Sequence, residues 1–340
     1  MTIHLVTGGS GFIGSRIVHH LHAKGDYVRV LDLLRDPALP EGIAFHQASI
    51  CDRPAVAEAL RGVDVLHHHA ALVAQSRAGK RYHEVNVEGC RTVAEEAVRA
   101  GVSAIVHVSS TAIYGMPPRG RITAETVPRP FESYGKSKLK GERLMADICR
   151  KAGIALIIIR PRATLGAGRL GIFQILFDWI AEHRRLYITG DGNNRIQFIH
   201  VDDLMDFYML ALSRGIAGDF NVGTDRFGTL REDLTALIEH AGSRSRIVSL
   251  PALPAIAALG GLRALRLSPL AAWQYRTYHR DCYFDIAPLR ALGWEPRHSN
   301  ASMLAESYDW YRGHCAAVQR ASPHRSPLRQ QSIGLLRRLS

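Results

Sequence analysis

The sequence predicts an α/β protein built around a doubly wound parallel sheet, with a smaller α/β region on its C-terminal side. Residues 1–14 begin as a short apolar strand that runs directly into a turn rich in glycine and then into a helix. Short apolar segments then alternate with amphipathic ones as far as residue 160, which is the pattern of parallel strands joined by crossover helices. Residues 154–161 are apolar almost throughout, as in a strand buried on both faces. Together these features indicate a Rossmann-type fold.

The other elements follow from apolar periodicity and from capping and breaking residues. A helix is predicted over residues 53–60, because the carboxylate of Asp52 suits an N-cap. The other predicted helices are one from residue 12, 84–99, one opening at residue 134, 171–183, one from residue 202, 229–241, 254–265 and 300–313. The other predicted strands are 27–31, 44–48, 63–71 with its exit, 104–108 and 196–201.

The glycine-rich turn is predicted to hold a dinucleotide. Gly8, Gly11 and Gly14 leave the backbone without Cβ atoms where a pyrophosphate must approach, and the following helix points its N–H groups at that anion. The second apolar strand ends at Asp32, where an acidic side chain accepts hydrogen bonds from the ribose hydroxyls. Because a carboxylate there repels a 2′-phosphate, NAD is predicted over NADP. Arg35 could bind such a phosphate, which weakens this preference.

Composition limits the class of protein. The chain has 340 residues and is 46% apolar, enough for one large α/β unit or a nucleotide-binding domain with an appendage. The first strand begins almost at Met1 with no leader pattern before it, so a cytoplasmic protein is expected. Five scattered cysteines without C-x-x-C spacing indicate a reducing compartment and no zinc site. The consecutive histidines 67–69 alternate between strand faces, so they are not expected to bind a metal.

Three regions are predicted along the chain. Residues 1–165 form the NAD-binding domain with the catalytic helix, and residues 166–315 form a mainly substrate-binding region interleaved with it. Residues 316–340 carry five arginines and no acid, and are expected to be a disordered basic tail. The preferred interpretation is a solvated tail, with contact to a membrane surface as the alternative; nucleic-acid binding is not expected. The apolar stretch 252–267 is too short and interrupted to span a bilayer.

Three catalytic residues are predicted, one at the end of the strand 104–108 and two on the helix that opens at residue 134. Tyr134 and Lys138 are four residues apart on that helix and therefore share a face. A cation near a phenol lowers the pKa of the phenol and makes tyrosinate available as a base near neutral pH. Ser110, at the strand exit, would share the substrate oxygen with Tyr134 and orient it.

These motifs together resemble the extended short-chain dehydrogenase/reductase family, whose best-known members are nucleotide-sugar epimerases and dehydratases. The resemblance covers about residues 2–312. It rests on TGGSGFIG at 7–14, on residues 64–71, on NVEG at 86–89, on SSTAIYG at 109–115, on YGKSK at 134–138, on residues 198–204, on Phe284 and Asp285, and on LGWEP at 292–296. As a set these motifs are highly specific.

The resemblance implies that Ser110, Tyr134 and Lys138 are the catalytic residues, and that Lys138 also holds the nicotinamide ribose. Phe12 and Ile13 would cover the pyrophosphate. The implied cofactor-binding residues are Gly8, Gly11, Phe12, Ile13, Gly14, Asp32, Ser49, Ile50, Ala70, Ala71, Asn86, Tyr134, Lys138 and Pro161. The adenine-contacting aspartate of the family is missing at residues 49–50, although the serine can still form a hydrogen bond. A substrate-clamping C-terminal region and a homodimer are also implied.

Departures from the family pattern narrow the chemistry. Sugar 4,6-dehydratases eliminate water with an Asp-Glu pair, and family decarboxylases carry a glutamate at the second of these positions, where this chain has Thr111 and Ala112. Hydride transfer alone is therefore expected. Nucleotide-sugar enzymes often have R-x-x-N-x-Y-G-P where residues 160–167 are RPRATLGA, and the arginine usual before the strand at 196–201 is displaced to Arg195. Both differences weaken the case for a nucleoside diphosphate.

The leading hypothesis is an NAD-dependent nucleotide-sugar epimerase that transfers a hydride transiently through a keto intermediate. Its candidate substrate residues are Thr111 and three arginines that suit a diphosphate, Arg162, Arg169 and Arg195. The alternative is an NAD(P)-dependent ketoreductase or alcohol dehydrogenase of a lipid-like or steroid-like substrate, of the 3β-hydroxysteroid dehydrogenase type. The apolar stretch 252–267 and the missing asparagine favour it. A non-catalytic NAD-sensing scaffold is a third hypothesis, against which the intact catalytic residues count.

Overall fold

A seven-stranded parallel sheet organises the protein. The computed structural model describes residues 1–76, 78–117, 120–171, 173–265 and 276–318. The strands are β1 (Ile3–Thr7), β2 (Tyr27–Asp32), β3 (Ala44–Gln47), β4 (Val65–His68), β5 (Ala104–Val108), β6 (Arg121–Ile122), β7 (Ala155–Pro161), β8 (Ala163–Leu165), β9 (Leu186–Thr189), β10 (Phe198–His200), β11 (Gly218–Val222), β12 (Ile247–Leu250) and β13 (Tyr283–Phe284). The large sheet has the order β11-β7-β5-β4-β1-β2-β3, and every pair in it is parallel. The predicted fold class is therefore confirmed.

Helices connect these strands. They are α1 (Phe12–Ala23), α2 (Arg53–Ala59), α3 (Arg81–His83), α4 (Cys90–Ala100), α5 (Ser133–Ala152), α6 (Phe173–Ala181), α7 (Val201–Ser213), α8 (Leu230–His240), α9 (Ala252–Ala264), α10 (Ala287–Ala291) and α11 (Asn300–Val318). A π-helical segment, Glu84–Gly89, joins α3 to α4, and short 3₁₀ turns lie at Ala74–Ser76 and Thr111–Tyr114. Within the described ranges no helix is long and apolar enough to cross a bilayer.

Most predicted elements lie within a few residues of their observed bounds. The carboxylate of Asp52 accepts a hydrogen bond from the Ala55 N–H at 3.2 Å, which confirms the predicted cap of α2. The single helix predicted over 84–99 instead begins as the π-helical segment Glu84–Gly89 and becomes an α-helix only from Cys90. The last helix continues to Val318, so residues 316–318 of the predicted tail are helical, and residues 319–340 lie outside the described ranges.

The chain forms two compact units. Unit 1 consists of Met1–Gly115, Pro128–Pro161 and Met205–Val222, and it contains the whole seven-stranded sheet. Unit 2 consists of Met116–Val127, Arg162–Leu204 and the chain from Gly223. Each unit is thus assembled from separate stretches of chain. Unit 2 contains three strand pairs, β8 with β10, β9 with β12 and β6 with β13.

Each unit has its own apolar core. In unit 1, fully buried Leu5, Leu66 and Ile105 project from three neighbouring strands onto Val93 of α4 and Met145 of α5. In unit 2 the core combines aliphatic side chains with an aromatic group that includes Phe177 of α6 and Tyr308 and Tyr311 of α11. Burying one such large side chain stabilises a fold by about 1.5–3 kcal/mol. The core of unit 1 fixes the strand ends on which the site of that unit is built.

A buried ion pair fixes α5 against β7. The Arg160 guanidinium donates to the Glu142 carboxylate, with Nε 3.1 Å from Oε2, and its Nη1 donates to the Tyr114 hydroxyl at 3.0 Å. Burial opposes the charge on Arg160, but hydrogen bonding and Coulomb attraction to Glu142 outweigh it and raise the pKa of Arg160. Arg160 therefore stays charged, and its bonds to Glu142 hold the helix that carries Tyr134.

Candidate active site

The glycine turn after β1 is closely packed. Gly8 has φ +71°, and its N–H donates to the Leu31 carbonyl at 2.9 Å. A Cβ at Gly8 would lie 2.6 Å from the Ala70 nitrogen, and one at Gly14 would lie 2.2 Å from the Gly8 carbonyl oxygen. These two glycines are therefore required by the packing of the turn against itself and against the exit of β4. A Cβ at Gly11 would meet only the Gly8 oxygen, at 3.1 Å.

The start of α1 has the features of an anion site. The helix begins at Phe12 with Gly11 as N-cap, no side chain caps it, and its first turn contains no acid. The first N–H groups of a helix carry partial positive charge and lack intrahelical acceptors, so a phosphate suits them. The order of the sheet reverses between β1 and β4, which is where open α/β sheets bind ligands. The turn thus fits the pyrophosphate of a dinucleotide.

Asp32 ends β2 beside this turn. Its Oδ2 accepts a hydrogen bond from the Ser10 N–H at 3.0 Å, and the residue is 9% exposed. Arg35 lies within its own loop: its guanidinium donates to the Ile43 carbonyl at 3.2 Å and stacks over the Phe45 ring. The acidic side chain is therefore held at the glycine turn, whereas the arginine is bound to the loop that follows β2. This arrangement suits ribose hydroxyls better than a 2′-phosphate.

Other predicted cofactor residues occupy different positions. The Ala70 N–H, just after β4, faces the Thr7 hydroxyl at 3.4 Å, and Ala71 follows it. The Ser49 hydroxyl accepts from the Cys51 N–H at 3.1 Å, while Ile50 is 4% exposed and belongs to the apolar core. Pro161 is buried as the last residue of β7, and Ile13 lies in the first turn of α1.

Asn86 pins the segment after β4 to α5. Its Oδ1 accepts from the Leu72 N–H at 2.8 Å, and its Nδ2 donates to the Leu72 carbonyl at 3.0 Å and to the Ser137 hydroxyl at 3.1 Å. Because its side chain is 1% exposed and both of its polar atoms are engaged, Asn86 positions the backbone at this edge.

The predicted catalytic residues come together at the end of β5. Lys138 is 3% exposed, and its ammonium donates to the Val108 carbonyl at 2.8 Å, two residues before Ser110. The Ser110 hydroxyl accepts from the Ala112 N–H at 3.2 Å and thereby starts the 3₁₀ turn. Tyr134 lies one helical turn before Lys138 on α5, and its ring centroid is 5.9 Å from that of Tyr82.

Gly135 allows this approach. A Cβ at Gly135 would lie 2.4 Å from the carbonyl oxygen of Ala112, so the first turn of α5 presses directly on the turn that follows Ser110. Both partners there are backbone, and neither can swing aside. Burial lowers the pKa of Lys138, while Glu142 and Cys90 oppose that shift. The arrangement can hold a substrate oxygen between a serine and a tyrosine beside a buried cation.

Gly135→Ala is expected to destabilise the protein by about 2–4 kcal/mol and to reduce catalysis, because the added methyl forces α5 away from the 3₁₀ turn. Gly313→Ala is the matched control. Gly313 also lies within a helix, but its Cβ would meet nothing within 4 Å, so this change should be neutral or stabilising by about 0.5–1 kcal/mol. Urea unfolding measures both variants. Equal stability of the two would contradict the close packing.

A layer of buried histidines lies under the site. His67 bonds to His4 at 2.9 Å and to the Tyr208 hydroxyl at 2.7 Å, and His69 lies 3.2 Å from the same hydroxyl. His68 points the other way, to the Thr7 hydroxyl at 2.8 Å. The predicted alternation of the three histidines is therefore confirmed. Nothing in the sequence indicated that His4 and Tyr208 would join them, since they come from β1 and α7.

Two groups of side chains could ligate a metal by distance alone. The donor atoms of His68, Cys90 and His107 lie within 4.8 Å of one another. Burial, with a contribution from the Lys138 ammonium, lowers the pKa of His68 to about 3, and burial raises that of Cys90 to about 11. Burial opposes a thiolate at Cys90, and burial together with the Lys138 ammonium opposes a second cation, so we assign no metal to this group.

The second group is His200, His298 and Glu306 in unit 2. The Asp202 N–H donates to His200 Nδ1 at 3.2 Å, so a neutral His200 carries its proton on Nε2, which lies 3.1 Å from Glu306 Oε2. That nitrogen then carries the proton, although its geometry to the carboxylate does not form a hydrogen bond, and it is no metal ligand.

The predicted substrate residues differ in their surroundings. Arg162 is 7% exposed, and its guanidinium donates to the Gln197 carbonyl at 2.9 Å and to Cys282. Arg195 is exposed, lies 3.8 Å from the Asp281 carboxylate and stacks over Tyr283. The Arg169 N–H donates to the Gly166 carbonyl in the loop after β8. Thr111, in unit 1, directly follows Ser110. The three arginines all belong to unit 2.

The chain is similar to a known protein family and to several known proteins. The sequence profile of the NAD dependent epimerase/dehydratase family matches residues 4–223. The protein y4nG of Sinorhizobium fredii is 38% identical over 335 residues, 98% of this chain and 85% of that protein. Sterol demethylase protein B of Methylococcus capsulatus is 31% identical over 263 residues, 73% of this chain and 78% of that protein. The structure of Thermus thermophilus UDP-glucose 4-epimerase with NAD aligns with TM-score 0.74 and 26% identity, covering 92% of this chain and 99% of that one.

The fold and the site define an NAD-dependent enzyme of the extended short-chain dehydrogenase/reductase class. The chain belongs to the NAD dependent epimerase/dehydratase family. The family, the fold, the enzymatic class and the cofactor predicted from the sequence are thereby confirmed.

Proposed function

We propose that the protein is a nucleotide-sugar epimerase, in which hydride leaves and returns to the same carbon through a keto intermediate. The observation that carries the proposal is the Lys138–Val108 hydrogen bond, which brings the start of α5 to the strand exit that bears Ser110. The neighbouring Thr111 and Ala112 offer no carboxyl group for water elimination. A site with one proton-transfer group and one hydride partner suits reversible oxidation without elimination.

In this mechanism the chain's own residues handle the proton and the substrate oxygen. Tyr134 takes the hydroxyl proton at its phenolate oxygen, and Ser110 Oγ holds the substrate oxygen beside it. The Lys138 ammonium, fixed by the Val108 carbonyl, stabilises negative charge on the tyrosine. Bound NAD supplies the hydride acceptor and then the hydride donor. Tyr134 finally returns the proton to the substrate oxygen, while the carbonyl carbon accepts the hydride on its opposite face.

The test is to incubate the purified enzyme with UDP-hexoses and to follow epimer formation together with absorbance of NADH. Interconversion of two epimers is expected over many turnovers, with reduced cofactor never exceeding the amount of enzyme. NADH that accumulates in proportion to added NAD and substrate would overturn the proposal and indicate net oxidation.

A second function is supported by the lost nucleoside motif. Residues 160–167 lack the asparagine and tyrosine of nucleotide-sugar enzymes, and the guanidinium of Arg162 is engaged by Gln197 and Cys282. A relative at 31% identity bears the name sterol demethylase protein B. Net oxidation or reduction of a lipid-like or steroid-like alcohol by the same three residues is therefore the competing proposal. Steroid alcohols in the same NADH assay distinguish it.

We also propose that exposed Arg195, together with Arg169, holds the diphosphate of the substrate. Guanidinium groups pair with phosphate through two parallel hydrogen bonds, which supports this role. The protein is further proposed to be a homodimer and to be located in the cytoplasm. The cysteines of the described residues, Cys51, Cys90, Cys149 and Cys282, are all free thiols, which supports a reducing compartment.

A further inference from the structure

Helix α9 exposes apolar side chains where a surface helix normally places polar ones. Leu253 is 84% exposed, Leu265 just after the helix is 70% exposed, and Leu250 just before it is 37% exposed. Ala257 and Ala258 are exposed as well. From Ala252 to Leu262 the helix contains no polar side chain at all, although a helix on a globular surface usually has one polar face.

The sequence around this helix carries only positive charge. Between Glu239 and Asp281 there is no Asp or Glu, whereas the same stretch contains the arginines Arg244, Arg246, Arg263, Arg266, Arg276 and Arg280. The whole chain has a net charge of +12. An apolar surface flanked by arginines in a segment without acids is complementary to an interface that is apolar within and anionic at its rim.

We propose that α9 docks the protein on the surface of an anionic lipid bilayer. Leu253 and Leu265 enter the acyl boundary, and the exposed Arg244, Arg246 and Arg280 bind acidic headgroups. The helix has 13 residues, about 20 Å, too short to cross a bilayer but suited to lying in its plane. Docking of this kind is independent of which substrate the catalytic site of unit 1 takes.

The composition of α9 favours a bilayer over a protein partner. Protein interfaces draw most of their binding energy from Trp, Tyr and Arg anchors in fitted pockets. The described side chains on α9 are Leu, Ile, Ala and Pro, which form a smooth surface with no aromatic anchor. A fluid acyl boundary needs no fitted shape, because it gains from apolar area alone.

The test is co-sedimentation of the full chain with vesicles of phosphatidylcholine, with and without phosphatidylglycerol. We expect at least tenfold stronger partitioning onto the acidic vesicles, and weakening as salt is added. The double variant Leu253→Glu/Leu265→Glu should lose at least tenfold of this binding. Val127→Glu is the matched control, because Val127 is 63% exposed in unit 2 outside this surface and its variant should bind like the parent.

Thermal unfolding checks that all variants fold, which is expected because the changed side chains are exposed. Absence of vesicle binding, equal binding to neutral vesicles, or full binding by the double variant would each overturn the proposal. A chain ending at Val318 tests the basic tail: loss of binding there, with the double variant still bound, would assign binding to the tail. A dimer that only the double variant disrupts, without vesicle binding, would assign α9 to a second copy of the chain.

Discussion

Tyr134→Phe is expected to lower kcat by about 10²–10⁴-fold while NAD binding and stability stay close to those of the parent. The change removes only the hydroxyl that accepts and returns the substrate proton. The phenyl ring remains, so its packing beside Tyr82 in the first turn of α5 is preserved. Steady-state kinetics with the active substrate measure the loss in kcat. Cofactor affinity is measured by titrating the protein with NAD and following the quenching of its tryptophan fluorescence.

The matched control is Tyr27→Phe, because Tyr27 is 40% exposed at the start of β2, at the end of that strand away from Asp32. Its kcat should be unchanged. Full activity of the Tyr134 variant would remove Tyr134 from the mechanism and, with it, the proposed function. A Tyr134 variant that loses NAD binding and thermal stability together would instead assign the hydroxyl a structural role.

Acidification is expected to unfold the protein at an unusually high pH, because the free energy of unfolding falls steeply below about pH 6.5. Burial lowers the pKa of His68 and of His69 to about 3, and also lowers the pKa of His4, His67 and His107. Below pH 6.5 the unfolded chain binds protons at these histidines while the folded chain does not. A histidine whose folded pKa lies this low then costs about 1.4 kcal/mol of stability per pH unit, so His68 and His69 alone cost about 3 kcal/mol per unit.

Urea unfolding at pH 7.5, 6.5, 5.5 and 5.0 measures this dependence. The loss should begin near pH 6.5 and be absent above it, since both states are then neutral at these positions. His107→Leu should reduce the slope, because it removes one histidine that binds a proton only in the unfolded chain. The substitution breaks no hydrogen bond among the described residues, since neither ring nitrogen of His107 has a partner there. His22→Gln, at an exposed position of α1, should leave the slope unchanged. A flat stability between pH 7.5 and 5.5 would contradict neutral burial of the layer.

Local signals in the sequence sufficed for six of the seven strands of the large sheet and for the catalytic helix, whereas β11 was not predicted. The apolar run of β7, the cap at Asp52 and the spacing of Tyr134 and Lys138 each depend on neighbouring residues only. Such patterns map onto strand and helix geometry without knowledge of the rest of the chain. The assignment of the glycine turn to the end of β1 has the same origin.

Features that depend on contacts between residues far apart in the chain could not be predicted from the sequence. Arg162 looked like a diphosphate ligand, yet its partners Gln197 and Cys282 come from 35 and 120 residues away. His4 meets His67 across 63 residues, and Tyr208 joins them across 141. Residue type and periodicity carry no information on such pairings, because they arise only when strands and helices have been placed side by side.

The π-helical segment Glu84–Gly89 determines what a deletion of one residue would do at this place in the chain. Removing one residue there would restore ordinary α geometry and rotate one half of the helix by about 100° relative to the other. Asn86 would then lose both Leu72 and Ser137, and Gly141 would no longer face the Asn86 carbonyl that now leaves no room for a methyl group. We therefore expect that deleting a residue within Glu84–Gly89 disrupts the protein more than deleting one in a surface loop.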